Sequence, residues 1–196
     1  MEPGAAGQRN RLVIDAGNGI ELCGVTLADA PELYAAIERN RAHLREWLSW
    51  LHDAFDLNEL TEFVRARETD NAARVSLTTL IRMDGELCGS IGLHTFDPKH
   101  RSTSIGYWID AAYEGRGIVT RACRAIVTAG FREYEMHRIE IRCALGNVKS
   151  AAIPQRLGFV EEGILREAEW HYDRWLDLRL FSLLSHRWTQ MNTDQM

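Results

Sequence analysis

The chain has no excess of basic charge. Its 23 Lys and Arg stand against 28 Asp and Glu, a net charge of −5. That argues against a general nucleic-acid binder, whose surface must neutralise phosphates. Paired cysteines are missing too. Cys23, Cys88, Cys123 and Cys143 form no CxxC and keep no metal-ligand spacing with histidine. Neither a disulfide framework nor a zinc site is expected, and buried reduced thiols are the plain reading. There is no HExxH and no histidine pair at i, i+4; His94, His137 and His171 read as structural or surface residues, and no metal is expected. No apolar run is long enough to cross a bilayer, and MEPGAAGQRN has no apolar h-region. A cytoplasmic protein with no membrane partner is the expectation. Repeats and low-complexity blocks are also absent.

What remains is 196 residues, 45% hydrophobic and 26% charged, enough for one globular domain with a sizeable core. Residues 1–10 read as a flexible tail, 11–188 as the domain and 189–196 as a C-terminal tail. Strands are expected at 11–15 and 20–26 around Gly17-Asn18-Gly19. Asp29 before Pro31 marks a helix start. Leu44, Trp47, Leu48 and Leu51 fit a second helix, and 59–73 a third. A three-strand meander follows over 75–83, 86–96 and 101–110, with Asp84-Gly85 at its first turn. Then come a glycine turn, a long amphipathic helix, a strand around 139–143, a helix over 147–157 ended by Gly158, and a closing strand pair at 159–169 and 174–184. This order predicts one α/β domain on a mixed, mostly antiparallel sheet of about seven strands flanked by helices.

The most informative stretch is Ser104–Phe131, SIGYWIDAAYEGRGIVTRACRAIVTAGF. A strand meets Glu114-Gly115-Arg116-Gly117, and a helix begins at once. Free backbone N–H groups at a helix start, aided by its dipole, make an anion site suited to phosphate. Thr120 occupies the place of the third glycine of a dinucleotide fingerprint, and no Walker A lysine exists. A plain structural turn remains the competing reading of this motif alone.

The motifs HLREWLSW, GELCGSIGL, SIGYWI with the glycine turn, NVKSAAIPQRLGF and EAEW together resemble the GNAT acetyltransferases. The likeness is to the subgroup typified by ribosomal-protein (Rim-type) N-terminal acetyltransferases and spans about residues 11–188. Two positions depart from the family's R/Q-x-x-G-x-G/A loop: Glu114 stands first and Val119 last.

The resemblance implies acetyl-CoA as co-substrate. Tyr107, Trp108 and Ile109 would pair with the pantetheine arm. The N–H groups of Gly115, Arg116, Gly117, Ile118, Val119 and Thr120 would hold the pyrophosphate. Asn147 is by itself a helix N-cap candidate and Ser150 a first-turn polar residue. The likeness adds that Asn147 would bond the arm and Ser150 would stabilise the departing sulfur. Among Glu161, Glu162, Glu167 and Glu169, the EAEW motif makes Glu169 the expected base. On a regular strand Glu167 and Glu169 would share a face. Trp50, Trp170 and Tyr172 are candidate walls of the acceptor pocket. Nothing in the sequence activates a cysteine, so direct transfer in a ternary complex is expected rather than a covalent enzyme intermediate.

An α-amine ionises near 7.7–8.0 and a lysine near 10.4, so roughly a tenth of α-amines are neutral at pH 7 against about one lysine in a thousand or fewer. That favours an α-amine acceptor such as a ribosomal-protein N-terminus. Detoxification of small amines, aminoacyl nucleotides or amine antibiotics is the alternative. A non-catalytic acyl-CoA-binding module is the alternative of another class. Relatives of this kind self-associate, so a homodimer is a further expectation.

Overall fold

The computed structural model describes residues 11–193. The expected tail at 1–10 and residues 194–196 lie outside the described residues. Strands β1 (Val13–Gly17) and β2 (Ile20–Gly24) form the first hairpin. Its turn residues Asn18 and Gly19 take φ of 56° and 73°, the left-handed conformation a tight two-residue turn demands. Helix α1 (Ala30–Arg39) follows a short 3-10 turn, and α2 (Arg41–Arg45) is brief. The helix expected through Leu51 ends at Arg45 instead. Downstream carbonyls find side-chain donors in place of another helical turn: the Tyr172 hydroxyl bonds Leu48 O and Leu51 O, and Arg41 bonds His52 O and Phe55 O. Leu44 and Leu51 are still buried, but Trp47 and Trp50 ride on an irregular segment.

Helix α3 (Leu57–Ala73) is capped by Asp56, whose carboxylate accepts from Glu59 N. The meander is β3 (Leu77–Met83), β4 (Glu86–Leu93) and β5 (Ser102–Ile109). Helix α4 (Ile118–Arg132), strand β6 (Arg138–Ala144), helix α5 (Val148–Arg156) and strands β7 (Val160–His171) and β8 (Arg174–Leu184) complete the expected order. The expected C-terminal tail is corrected over 189–193, because α6 (Ser185–Thr193) runs through it. Trp188 anchors that helix, 3% exposed and with its ring 6.5 Å from Phe131.

All eight strands join one sheet, in the order β1-β2-β3-β4-β5-β6-β8-β7, rather than about seven. Its interior is apolar on both faces. Ile91, Ile139 and Phe181 pack with Ile126 of α4, and Leu80 packs with Leu33 and Ile37 of α1 and Leu60 and Val64 of α3. Each such side chain contributes about 1.5–3 kcal/mol on burial.

One irregularity positions everything that follows. The parallel β5–β6 pairing runs from Ser102↔Arg138 to Ile105↔Ile141 and stops. Beyond it β5 pairs only with β4, and β6 only with β8. The sheet is therefore split between Gly106–Ile109 and Arg142–Ala144.

Candidate active site

The glycine turn lies just past the end of β5. Gly115 and Gly117 adopt φ of 74° and 73°, where an L side chain is strained. Gly117 caps α4, and its carbonyl accepts from Arg121 N. The N–H groups of Ile118, Val119 and Thr120 precede the first helical acceptors and are left for an anion. Arg121 and Arg124 line the same side. Arg116 instead lies over the Tyr113 ring, 5.1 Å from its centroid. Glu114 accepts from Lys149 Nζ at 2.6 Å and stands 3.4 Å from His43 Nε2. This ion pair ties the turn to the start of α5 and raises the Lys149 pKa.

Inside the split, the Tyr107 hydroxyl is 3.0 Å from Ser150 Oγ and 3.1 Å from Ser150 O. Burial pushes this phenol well above its ordinary range, so it stays protonated. With one proton and two partners, Tyr107 holds the serine in place. Asn147 caps α5, its Oδ1 accepting from Ser150 N at 3.0 Å. Burial also raises the Cys143 thiol above its ordinary value, against a hydrogen bond from Ser150 that lowers it. A raised thiol pKa opposes a thiolate nucleophile at this position.

Glu169 comes from the edge hairpin. The β7–β8 register shifts between Leu165 and Glu169, and Glu167 takes φ of 48°. This bulge breaks the alternation expected of a regular strand. Glu167 spends its N–H on Asp177 Oδ1 and is exposed. Glu169 instead lines the cleft and accepts from Ser49 Oγ at 2.8 Å.

One cleft of about 1790 Å³ connects these parts. Tyr107, Trp108 and Ile109 line it at the split, and Gly115, Gly117, Ile118, Val119 and Thr120 at the turn. Asn147 and Ser150 line it from α5, and Glu169 and Trp50 from the acceptor side. Arg116, Trp170 and Tyr172 do not line it. Trp170 is 51% exposed and packs edge-on against Trp175. Tyr172 holds the segment that carries Trp50. Sequence reasoning missed Ser49 as the partner of Glu169. Ser49 sits inside the quoted HLREWLSW motif, but 120 residues separate the pair, so no local periodicity connects them. Among the described residues, no group of three or more His, Cys, Asp or Glu is placed to hold a metal, and no helix is long and apolar enough to cross a membrane.

A sheet split open beside a glycine-capped helix start fits an extended thioester arm with a pyrophosphate at its end, which defines an acyl-CoA-dependent transferase. The acetyltransferase (GNAT) domain family matches residues 20–160, and the chain belongs to that family. It is an acetyl-CoA-dependent N-acetyltransferase. It is 38% identical over 82% of its length to the protein named "Putative ribosomal N-acetyltransferase YdaF" of Bacillus subtilis (strain 168), and covers 88% of that protein. It is 27% identical over 86% of its length to the ribosomal-protein-serine acetyltransferase of Escherichia coli (strain K12), covering 94% of it. The crystal structure of the microcin C7 self-immunity acetyltransferase MccE with acetyl-CoA and AMP superposes with a TM-score of 0.80 at 26% identity. That match covers 86% of this chain and 94% of the other.

Proposed function

We propose that this enzyme acetylates the α-amine at a protein N-terminus, a ribosomal protein being the substrate class its relatives' names indicate. The observation that carries this reading is the meeting of Glu169, held by Ser49, with Ser150, held by Tyr107, in one cleft. Acetyl-CoA supplies an activated acyl group. The turn at Gly115–Thr120 holds its pyrophosphate by backbone N–H groups, and the β5 edge at Tyr107–Ile109 holds its arm. Glu169 accepts a proton from the ammonium, and the freed amine forms the new C–N bond as the C–S bond breaks. The second proton shed by the nitrogen leaves with the CoA thiolate as free thiol. Ser150 donates a hydrogen bond to the departing sulfur. An α-amine suits this single base, because about a tenth of it is already neutral near pH 7.

The test is thiol release from acetyl-CoA with N-terminally free peptides, paired with binding of CoA. Glu169→Gln and Ser150→Ala are expected to lower kcat by about 10²-fold or more while CoA still binds. Undiminished turnover in both variants would show that the two residues are misassigned.

A second reading has its own support. Trp50 lines the cleft, 42% exposed, with its ring 5.5 Å from Phe55. Such a surface can stack on a purine, and MccE was solved with AMP. Turnover of aminoacyl nucleotides ahead of every peptide would favour this detoxifying role.

A further inference from the structure

The sheet face turned away from α4 holds a cationic groove that neither the acetyl donor nor Glu169 accounts for. On this face β4 presents Ser90 and Gly92, with His94 just past its end beside Ser104, and β5 presents Ser104, Gly106 and Trp108, alternating with the buried Ile91, Leu93 and Ile105. Gly92 and Gly106 are direct cross-strand partners, and each is closely covered: a Cβ on Gly92 would come 2.5 Å from Leu77 O. His94 lies over Gly106, where a Cβ would come 2.7 Å from Nε2. Its Nδ1 is fixed 2.9 Å from Ser104 Oγ. Arg67 of α3 and Arg142 of β6 line the same cleft. Partial desolvation, then the charges of Arg67 and Arg142, hold the His94 pKa below its ordinary value. Arg67 pairs with Asp70 through Nη2 at 2.8 Å, yet its buried Nε has no hydrogen-bond partner. Arg142 gives one nitrogen to Glu140, which also binds Arg138.

Arg142 stands at the closed end of the split, and the proposed base stands at its open end. Arg142 pairs with Leu180 and Glu169 with Leu176 on the same strand β8. The offset is about four residues, or ~13 Å along the strand. β6 and β7 flank β8, two strand spacings apart, so the two backbones are about 16 Å apart. An extended peptide spans that in four to five residues at about 3.3–3.6 Å each, and the reach of the Glu and Arg side chains shortens it to about two to four.

The geometry points to an acceptor-side anion subsite: Arg67, His94 and Arg142 receive a carboxylate or phosphate borne by one of residues two to four of a peptide whose N-terminal amine faces Glu169. This deepens the proposed α-amine function and rests on it. The acidic and basic ends of one cleft would together select a dipolar acceptor.

The test uses acetyl transfer to free N-terminal hexapeptides carrying Glu, Gln or phosphoserine in turn at residues two, three and four. At one position an anionic peptide is expected to exceed its Gln twin in kcat/KM by about tenfold or more, chiefly through KM. Glu ahead of phosphoserine assigns the subsite to carboxylate, and the reverse order to phosphate. The Arg67→Gln/Arg142→Gln variant is expected to bring the ratio near one, while Arg67→Lys keeps part of it. Equal kcat/KM within every pair, or a ratio that survives the double substitution, would overturn the subsite. If no peptide is acetylated, the α-amine reading fails separately. Inorganic phosphate titrated into the CoA-loaded protein then decides: a saturable shift of the His94 imidazole resonances, lost in Arg67→Gln, supports the subsite, and no saturable shift refutes it.

Discussion

Tyr107 shows how much one hydroxyl does at this site. Sequence placed it on the β5 edge for its backbone, and the structure gives its side chain a separate task 3.0 Å from Ser150 Oγ. A phenol kept protonated by burial donates to the Ser150 carbonyl and keeps its oxygen beside the Ser150 hydroxyl, which pins the proposed donor serine. Tyr107→Phe removes that donor and little volume. It is expected to lower kcat by about tenfold with CoA affinity nearly unchanged, as steady-state kinetics beside calorimetry would show. An equal loss of CoA binding would instead mean that the ring positions the arm. Glu114, irregular against the family loop, also finds its reason at this scale. Its carboxylate is spent on Lys149, which leaves the proposed phosphate seat to backbone N–H groups.

At the scale of elements, the edge hairpin carries both the proposed base and an ion pair that fastens it. Glu162 of β7 accepts from Arg138 of β6 at 2.8 Å and from Ser182 of β8 at 2.6 Å. The Arg138 guanidinium, then the Ser182 hydroxyl, hold the Glu162 pKa at about 2, below an ordinary 4.5. A depressed carboxylate stabilises the fold above its unfolded pKa, and that share is lost as pH falls through the folded value. Glu162 is 37% exposed, so solvent screening limits the share to about 1 kcal/mol. Glu162→Gln is therefore expected to cost up to about 1 kcal/mol at pH 7. The gap from the parent protein should close between pH 4.5 and 2 in urea titrations. A gap independent of pH would assign the effect to packing. The β7 bulge is the other lesson at this scale. EAEW identifies Glu169, but only the register shift at Leu165/Glu169 separates its surroundings from those of Glu167.

Across the whole molecule, distant segments close one cleft: the Trp47–Trp50 segment, the β5–β6 split, the α4 and α5 starts and the edge hairpin. The last helix belongs to this body. Trp188 is 3% exposed, and Met191 lies against Gly158, where a Cβ would meet its sulfur at 2.8 Å. Trp188→Ala is expected to cost about 3–5 kcal/mol and to lower Tm in calorimetry by about 6–20 °C. A negligible change would show α6 to be dispensable. The sequence by itself determined the strand and helix order, because alternation, helical spacing and turn glycines are local signals. It likewise determined the glycine turn, since Gly115 and Gly117 favour a left-handed backbone. Only the tertiary structure decided where the second helix stops, because side chains as distant as Tyr172 satisfy the carbonyls beyond it. It alone paired Ser49 with Glu169 and gathered Arg67, His94 and Arg142 around one groove. Hydrogen bonds and charges act through space, and residues far apart in the chain become partners only when the sheet brings them within reach.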